Sequence, residues 1–451
     1  MQVSLSNGQL NTYNPGRRRI ERPTDYVGPL ETTGKDVVVA VIDSGIAKHP
    51  DLLDSIAVAV TFDKDRAPSA DDWGHGTATA SVIAGNGSAS NGEFKGVAPG
   101  AKLINLPVFT KEANESGQAG FHMLNALNWV VDNKDKFNIR VVNVSGGMPL
   151  LPDPDNTNEQ MATFLDPFDA AIKRAVEAGI VVVAAAGNTG PGPSSISSSP
   201  GHHPDVITVG SLDTNGTPED LSDDFVATHS SRGPGPLGNG KPDLVAPGVG
   251  LTLAAVPGSQ IMQDNEARAA LYAKLRGVDQ QSLLPAVGQL VMGRQLSPRL
   301  FESALPQLEE LLPERMKATL ANASVAKRTA TALQMSAVLS AKGLLDTEGQ
   351  PYREAAEALR QAMDRMAPAP IMQSSTGETM YLAEDGTSFA TPIVTSVIAH
   401  MLEVNPALTP AQVKDILKNT ARPVPGADQY SAGAGALNAQ AAIEQARTLA
   451  S

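Results

Sequence analysis

Three short segments of the sequence set a reactive side chain among small neighbours. Asp43 closes the run Val41-Ile42-Asp43-Ser44-Gly45. A carboxylate at the carboxyl end of a buried strand can stay ionised and orient an imidazole. His75 stands between glycines in Gly74-His75-Gly76-Thr77, ahead of the helix-like run Ala78 to Ala84. The glycines let the backbone pack closely and leave the ring accessible. Ser388 lies in Gly386-Thr387-Ser388-Phe389-Ala390-Thr391-Pro392, and the segment continues through Ile393, Val394, Val397, Ile398, Met401 and Leu402. A serine at the start of such a helix meets a positive potential that favours developing negative charge, and Gly386 permits close approach of a substrate. Each segment alone has a plainer reading: a turn aspartate, a structural histidine, a capping serine. Together they supply a nucleophile, a base and a carboxylate that holds the base.

Parallel strands are expected to carry these residues. Val37 to Ile42 is a continuous β-branched run, as in a strand covered on both faces. Val141-Val142-Asn143-Val144 and Ile180-Val181-Val182-Val183 repeat it, the latter after an amphipathic stretch from Phe168 to Ala178 that stops at Gly179. Strands alternating with helices predict an α/β fold, a doubly wound and mostly parallel sheet with its site beyond the strands' carboxyl ends. From about Pro257 the valine runs give way to Ala, Leu, Glu, Gln, Arg and Met. Ser297-Pro298 ahead of Leu300, Phe301, Leu305 and Leu308, and the stripe Ala355, Ala358, Leu359 and Met363, mark helices. The expected organisation is an N-terminal arm over 1–36, a first catalytic part over 37–256, an all-helical insertion over 257–376 and a second catalytic part over 377–451.

The composition narrows the choice of function. With 48 acidic against 35 basic side chains the net charge is −13, so the chain lacks the basic character of a nucleic-acid binder. It has no cysteine, which excludes disulfides and thiolate chemistry. Apolar runs such as Ile180 to Ala186 are far short of a membrane span. Met1 to Pro23 is polar and lacks the layout of a secretory signal, so a cytoplasmic location is expected.

The ordered motifs at Asp43, His75 and Ser388 resemble those of the subtilisin family of serine peptidases. Further likenesses are Gly96-Val97-Ala98-Pro99-Gly100, Ser230-Ser231-Arg232-Gly233-Pro234 and Lys241-Pro242-Asp243-Leu244-Val245-Ala246-Pro247-Gly248. They span about Val37 to Val256 and Ala383 to Ala442. The resemblance implies a catalytic triad of Asp43, His75 and Ser388. It implies that Asn188, in Ala185-Ala186-Gly187-Asn188-Thr189-Gly190, donates to an oxyanion beside the Ser388 amide. It also implies that Ser145-Gly146-Gly147 pairs with an extended substrate, with a second pairing edge near Ser116 to Phe121. Ala185, Ala186 and Gly187 would wall the primary pocket, and Thr189 would lie near its rim.

The sequence departs from the family in two places. No propeptide is expected ahead of the first strand, and the expected helical insertion separates Asn188 from Ser388. A smaller extra loop, Pro149 to Met161, could rim the groove. Gly85 to Lys95 occupies the place of a family calcium loop but holds one carboxylate, Glu93. A structural calcium could sit there, whereas the chemistry itself needs no cofactor. Expected partners are protein or peptide substrates and a separate inhibitor protein that the insertion could engage. An acyl transferase or peptide cyclase on the same scaffold is the first rival reading. A non-catalytic interaction scaffold is the second, and the complete set of reactive residues argues against it.

Overall fold

In the computed structural model, residues 21–150, 167–292, 305–312, 325–342, 344–364, 371–373 and 379–450 are described. The β-branched runs form the central strands. They are β1 (Val38–Asp43), β2 (Ile56–Ala59), β3 (Lys102–Pro107), β4 (Ile139–Val144), β6 (Val181–Ala185), β8 (Ile207–Asp213) and β10 (Leu244–Pro247). They lie in the order β10-β8-β6-β4-β1-β3-β2, every neighbouring pair parallel. A short β9 (Phe225–Val226) adds to β8 antiparallel. Two further short strands, β5 (Met148–Pro149) and β7 (Ser198–Ser199), pair with each other. Farther along the chain, β11 (Leu251–Ala254), β12 (Ile371–Gln373) and β13 (Thr379–Glu384) make a separate antiparallel sheet.

Alternation along β1 shows why both faces must be covered. Val39 and Val41 join one core, with α2 (His75–Ala84), α12 (Thr387–Val404), α13 (Pro410–Thr420) and α14 (Ala439–Thr448). Ala40 and Ile42 join the opposite core, with α4 (Ala119–Asp132) and α6 (Pro167–Glu177). Helices α1 (Pro23–Val27), α3 (Lys111–Glu115) and α5 (Lys134–Phe137) are short connectors. This is the doubly wound α/β architecture expected from the strand–helix alternation. Gly179 ends α6 with φ +85°, and the Ile180 N–H reaches back to the Ala175 carbonyl. Helix α12 is long and apolar enough to cross a membrane by length and composition, but 89% of it is buried in protein. It is the central core helix.

Contacts divide the chain into two compact units. The first runs to Gln263 and resumes at Pro370, and the second is Asp264–Ala369. The second holds most of α7 (Gln260–Arg276), with α8 (Gln280–Met292), α9 (Leu305–Glu310), α10 (Val325–Ala341) and α11 (Gln350–Asp364). Its core gathers Leu275, Leu283, Leu284, Val287, Leu308, Leu333, Ala355 and Leu359 around the buried ring of Tyr352. The Tyr352 hydroxyl donates to the Gln281 carbonyl at 2.5 Å. The predicted cap Ser297-Pro298, Leu300, Phe301 and the loop 151–161 lie outside the described residues.

Candidate active site

Asp43 is the last residue of β1, the strand from which the order runs outward to β3 on one side and β4 on the other. Ligands in open α/β sheets bind beyond strand ends at such a switch point. His75 is the first residue of α2, and its Nδ1 lies 2.7 Å from Asp43 Oδ1. A carboxylate oxygen can only accept, so Nδ1 carries a proton, and in the neutral ring Nε2 keeps its lone pair. The same Asp43 oxygen accepts the Ser44 N–H at 2.7 Å. Burial pulls the His75 pKa down. The charge and hydrogen bond of Asp43, with Asp71 and Glu384 behind them, outweigh burial and hold it above the ordinary histidine value.

Ser388 is the second residue of α12, so its amide is one of the helix's unsatisfied N–H groups. The preceding Gly386 has φ 152° and ψ 151°, a conformation that favours glycine. Phe389, next to the serine, packs its ring 5.2 Å from the His75 ring. The Ser388 hydroxyl donates to the Ser145 carbonyl at 2.7 Å, and the Ser145 hydroxyl donates to the Ser388 carbonyl at 2.7 Å. Behind this clasp Thr395 donates to Asn143 Oδ1 at 2.8 Å, and Asn143 Nδ2 donates to Ser145 Oγ at 3.0 Å. The first three turns of α12 are thus tied to the end of β4.

The Asn188 side chain has a determined orientation. Its Oδ1 accepts the Thr387 backbone N–H and the Thr387 hydroxyl, both at 3.0 Å. A backbone N–H can only donate, so the bonded atom is oxygen and Nδ2 is left to donate elsewhere. A Cβ built on Gly386 would lie 3.5 Å from that Nδ2. The amide nitrogen therefore borders the glycine just ahead of Ser388.

The expected pocket residues divide by exposure. Ala185 and Ala186 are buried, Gly187 is half-buried and Thr189 is exposed. Gly187 N–H donates to the Thr387 hydroxyl at 3.2 Å, and Thr189 Oγ1 shares a 3.0 Å hydrogen bond with Ser231 Oγ. Ser145 is fully buried, and its hydroxyl and carbonyl are both engaged with Ser388, so it positions the serine. A side chain at Gly146 would press on the Phe109 ring, and one at Gly147 on Ser198 and Ser199 of β7. The expected second pairing edge near Ser116 to Phe121 is not extended: residues 116–117 form a turn, Gln118 caps helix α4, and the helix begins at Ala119. The apolar period of Met123, Ala126, Leu127 and Val130 draws the segment into a helix.

Sequence reading passed over Thr387, Thr395 and Asn143. A polar residue inside the valine run 141–144 was the visible signal for Asn143. Its partner, Thr395 on α12, is 252 residues away and could not be read from the local pattern.

The Gly85–Lys95 loop is held by the chain's own hydrogen bonds. Donors already occupy the buried Asp51 carboxylate: Ala89 N–H at 2.8 Å and Ser88 Oγ at 3.3 Å on Oδ1, and the Tyr381 hydroxyl at 2.6 Å on Oδ2. The loop's own carboxylate, Glu93, is exposed. No group of three His, Asp or Glu suited to a metal occurs among the described residues. Burial, joined by the Asp51 hydrogen bond, raises the Tyr381 pKa well above its ordinary value, so the donor stays protonated.

A carboxylate–imidazole pair at a sheet switch point, beside a serine on a helix N-terminus, defines a site of the serine-hydrolase class. The profile of the subtilase family matches residues 34–277 and 313–440, and the chain belongs to that family. It is 35% identical over 297 residues to serine protease AprX of Bacillus subtilis (strain 168), covering 64% of this chain and 61% of AprX. The chain thus matches about three fifths of that relative's length. It is 32% identical over 266 residues to subtilisin Savinase of Lederbergia lenta, covering 57% of this chain and 83% of that protein. The crystal structure of fervidolysin from Fervidobacterium pennivorans, described as a keratinolytic enzyme related to subtilisin, shares the fold. Its TM-score is 0.53 at 22% identity, over 93% of this chain and 45% of that one.

Proposed function

We propose that this chain is a serine endopeptidase that hydrolyses peptide bonds through an acyl-enzyme on Ser388. The supporting observation is the 2.7 Å bond between Asp43 and His75, with Phe389 of the serine's own helix packed on the imidazole. Rotation of the Ser388 hydroxyl from the Ser145 carbonyl toward His75 Nε2 starts the reaction. The imidazole takes the proton as the oxygen attacks the substrate carbonyl, and Asp43 stabilises the imidazolium. The Asn188 Nδ2 and the Ser388 N–H bind the oxyanion. His75 then protonates the leaving amine, and water, activated by the same ring, releases the acid. The small uncharged residues at Gly146, Gly147, Ala185, Ala186 and Gly187 suit uncharged, medium-sized side chains before the cut bond.

A fluorophosphonate probe should label Ser388, and Ser388→Ala should abolish both labelling and turnover. Labelling of another serine, with turnover surviving in Ser388→Ala, overturns the reading. Product mass separates hydrolysis, which adds water, from acyl transfer to an amine. Chelation should leave activity unchanged, because the chain's own donors hold the loop at Asp51. The helical unit has its own core, and we read it as a gate for large substrates or a surface for an inhibitor protein. Its replacement by a short Gly-Ser linker should spare peptide hydrolysis and alter cleavage of folded proteins. Fractionation of cells producing the chain tests the cytoplasmic setting.

A further inference from the structure

The short loop before α2 carries a carboxylate to which the proposed chemistry assigns no part. Asp71, four residues before His75, is buried, with 4% of its surface exposed. Its Oδ1 accepts the Ser44 hydroxyl at 2.8 Å and the Gly74 N–H at 2.9 Å. Its Oδ2 accepts the Thr77 N–H at 2.9 Å and the Thr77 hydroxyl at 2.6 Å. Ser44 Oγ in turn accepts the Gly76 N–H at 2.9 Å. The peptide groups on both sides of His75 therefore hang from one carboxylate, directly at Gly74 and through Ser44 at Gly76. Ser44 is also the residue whose N–H is bound by Asp43. The backbones that carry the base and its orienting acid thus meet at Asp71.

Two physical needs converge there. The first is register, because little slack exists between the two segments. A Cβ at Gly76 would collide with the Gly45 carbonyl and lie 3.1 Å from the Asp43 Cβ. The second is charge. His75 sits at N1 of a ten-residue helix, where unsatisfied N–H groups place positive potential and disfavour an imidazolium. A base that must become positive in the transition state is badly served by that location. Burial pushes the Asp71 pKa up, but four donors point at its two oxygens and favour the carboxylate. An anion bonded to those N–H groups offsets the potential where it arises. The other carboxylates whose charge acts on the ring are Asp43 from the end of β1 and Glu384 from the end of β13.

We propose that Asp71 is a positioning residue of the active site, setting the Asp43–His75 register and cancelling the positive end of α2 beneath the imidazole. The proposal rests on the peptidase reading for its kinetic consequence and on geometry alone for its effect on the ring.

The test reads both. In a Ser388→Ala background, histidine-labelled NMR follows the His75 titration without any turnover. Asp71→Asn keeps the shape but loses the charge, and should lower the His75 pKa by about one unit. Thr77→Val removes one hydroxyl donor and keeps the charge, so it should leave that pKa in place. In the Ser388 enzyme, Ser44→Ala loosens the register and should cut kcat about tenfold or more with KM unchanged. A His75 pKa in Asp71→Asn equal to that of the parent overturns the electrostatic role. Should Asp71→Asn fail to fold, the Ser44→Ala kinetics decide, and a parental kcat overturns the positioning role. Absence of turnover in the parent, with the NMR shift present, would refute the peptidase reading and leave the Asp71 assignment standing.

Discussion

The two units of this chain bury different things. Among the described residues, every buried carboxylate and the buried ammonium lie in the first: Glu21, Asp43, Asp51, Asp71, Asp213, Asp224, Lys241 and Asp243. Lys241 Nζ, for instance, bonds both Asp243 and the Val206 carbonyl at 2.8 Å, and Lys414 completes the group at 3.0 Å from Asp243. The second unit closes its core mostly with leucine, alanine and valine around Tyr352, and its buried Asn265, Thr329 and Ser336 are uncharged. Position in the first unit is thus enforced atom by atom through directed hydrogen bonds. In the second it is enforced by volume, which tolerates substitution if size is kept. A catalytic geometry needs the former, because an error near 1 Å is costly to rate.

The sharpest break of this contrast is at Asn188. Asn188→Ala should lower kcat by roughly 10²–10³ with little change in KM, and steady-state kinetics on a peptide substrate checks it. An effect confined to KM would show that the amide only shapes the groove. The helical unit should respond in the opposite currency. Leu333→Ala should cost about 2–5 kcal/mol of that unit's stability, read by calorimetry, while peptide turnover stays at the parental value.

The third expectation concerns pH. His75 has a folded-state pKa above its unfolded value. Its contribution to stability is therefore fully present below the unfolded pKa and fades as pH rises through the folded one. Catalysis needs the neutral ring, so kcat/KM should rise through that same raised value. An onset below about 6.5 would contradict the carboxylate surroundings described.

The smallest effect is expected at Asp224, whose pKa burial lifts to about 6 against the pull of Arg422. Folding then favours the protonated form, so the penalty is absent below the unfolded pKa and complete above about 6. Asp224→Asn should raise Tm more at pH 8 than at pH 4. Equal shifts at both values would show that the carboxylate pays no such penalty.

Much of the first unit was legible because its signals are local. Continuous valine runs can hide only in a covered parallel sheet, and small residues around Asp43, His75 and Ser388 mark places where backbone comes close. What escaped was relational. Asp71 reads as one of two aspartates in a turn until Ser44 and Thr77 arrive beside it. Asn143 is a lone polar residue until Thr395 crosses from α12. The turn at Ser116-Gly117 looked like an edge for pairing, since glycine obscures the helix that starts two residues later.

The antiparallel pairing of β11 with β13 has a consequence for how such a chain can change over evolutionary time. Ala254 and Tyr381 are direct partners in that ladder, although 126 residues lie between them in sequence. The two ends of whatever occupies the interval are already neighbours, anchored by a sheet that belongs to the first unit. Lengthening the interval then costs little, about 0.6 kcal/mol for each doubling of a flexible connection. The ladder is a port through which whole modules can be gained, exchanged or lost between generations while the strands on either side keep their register.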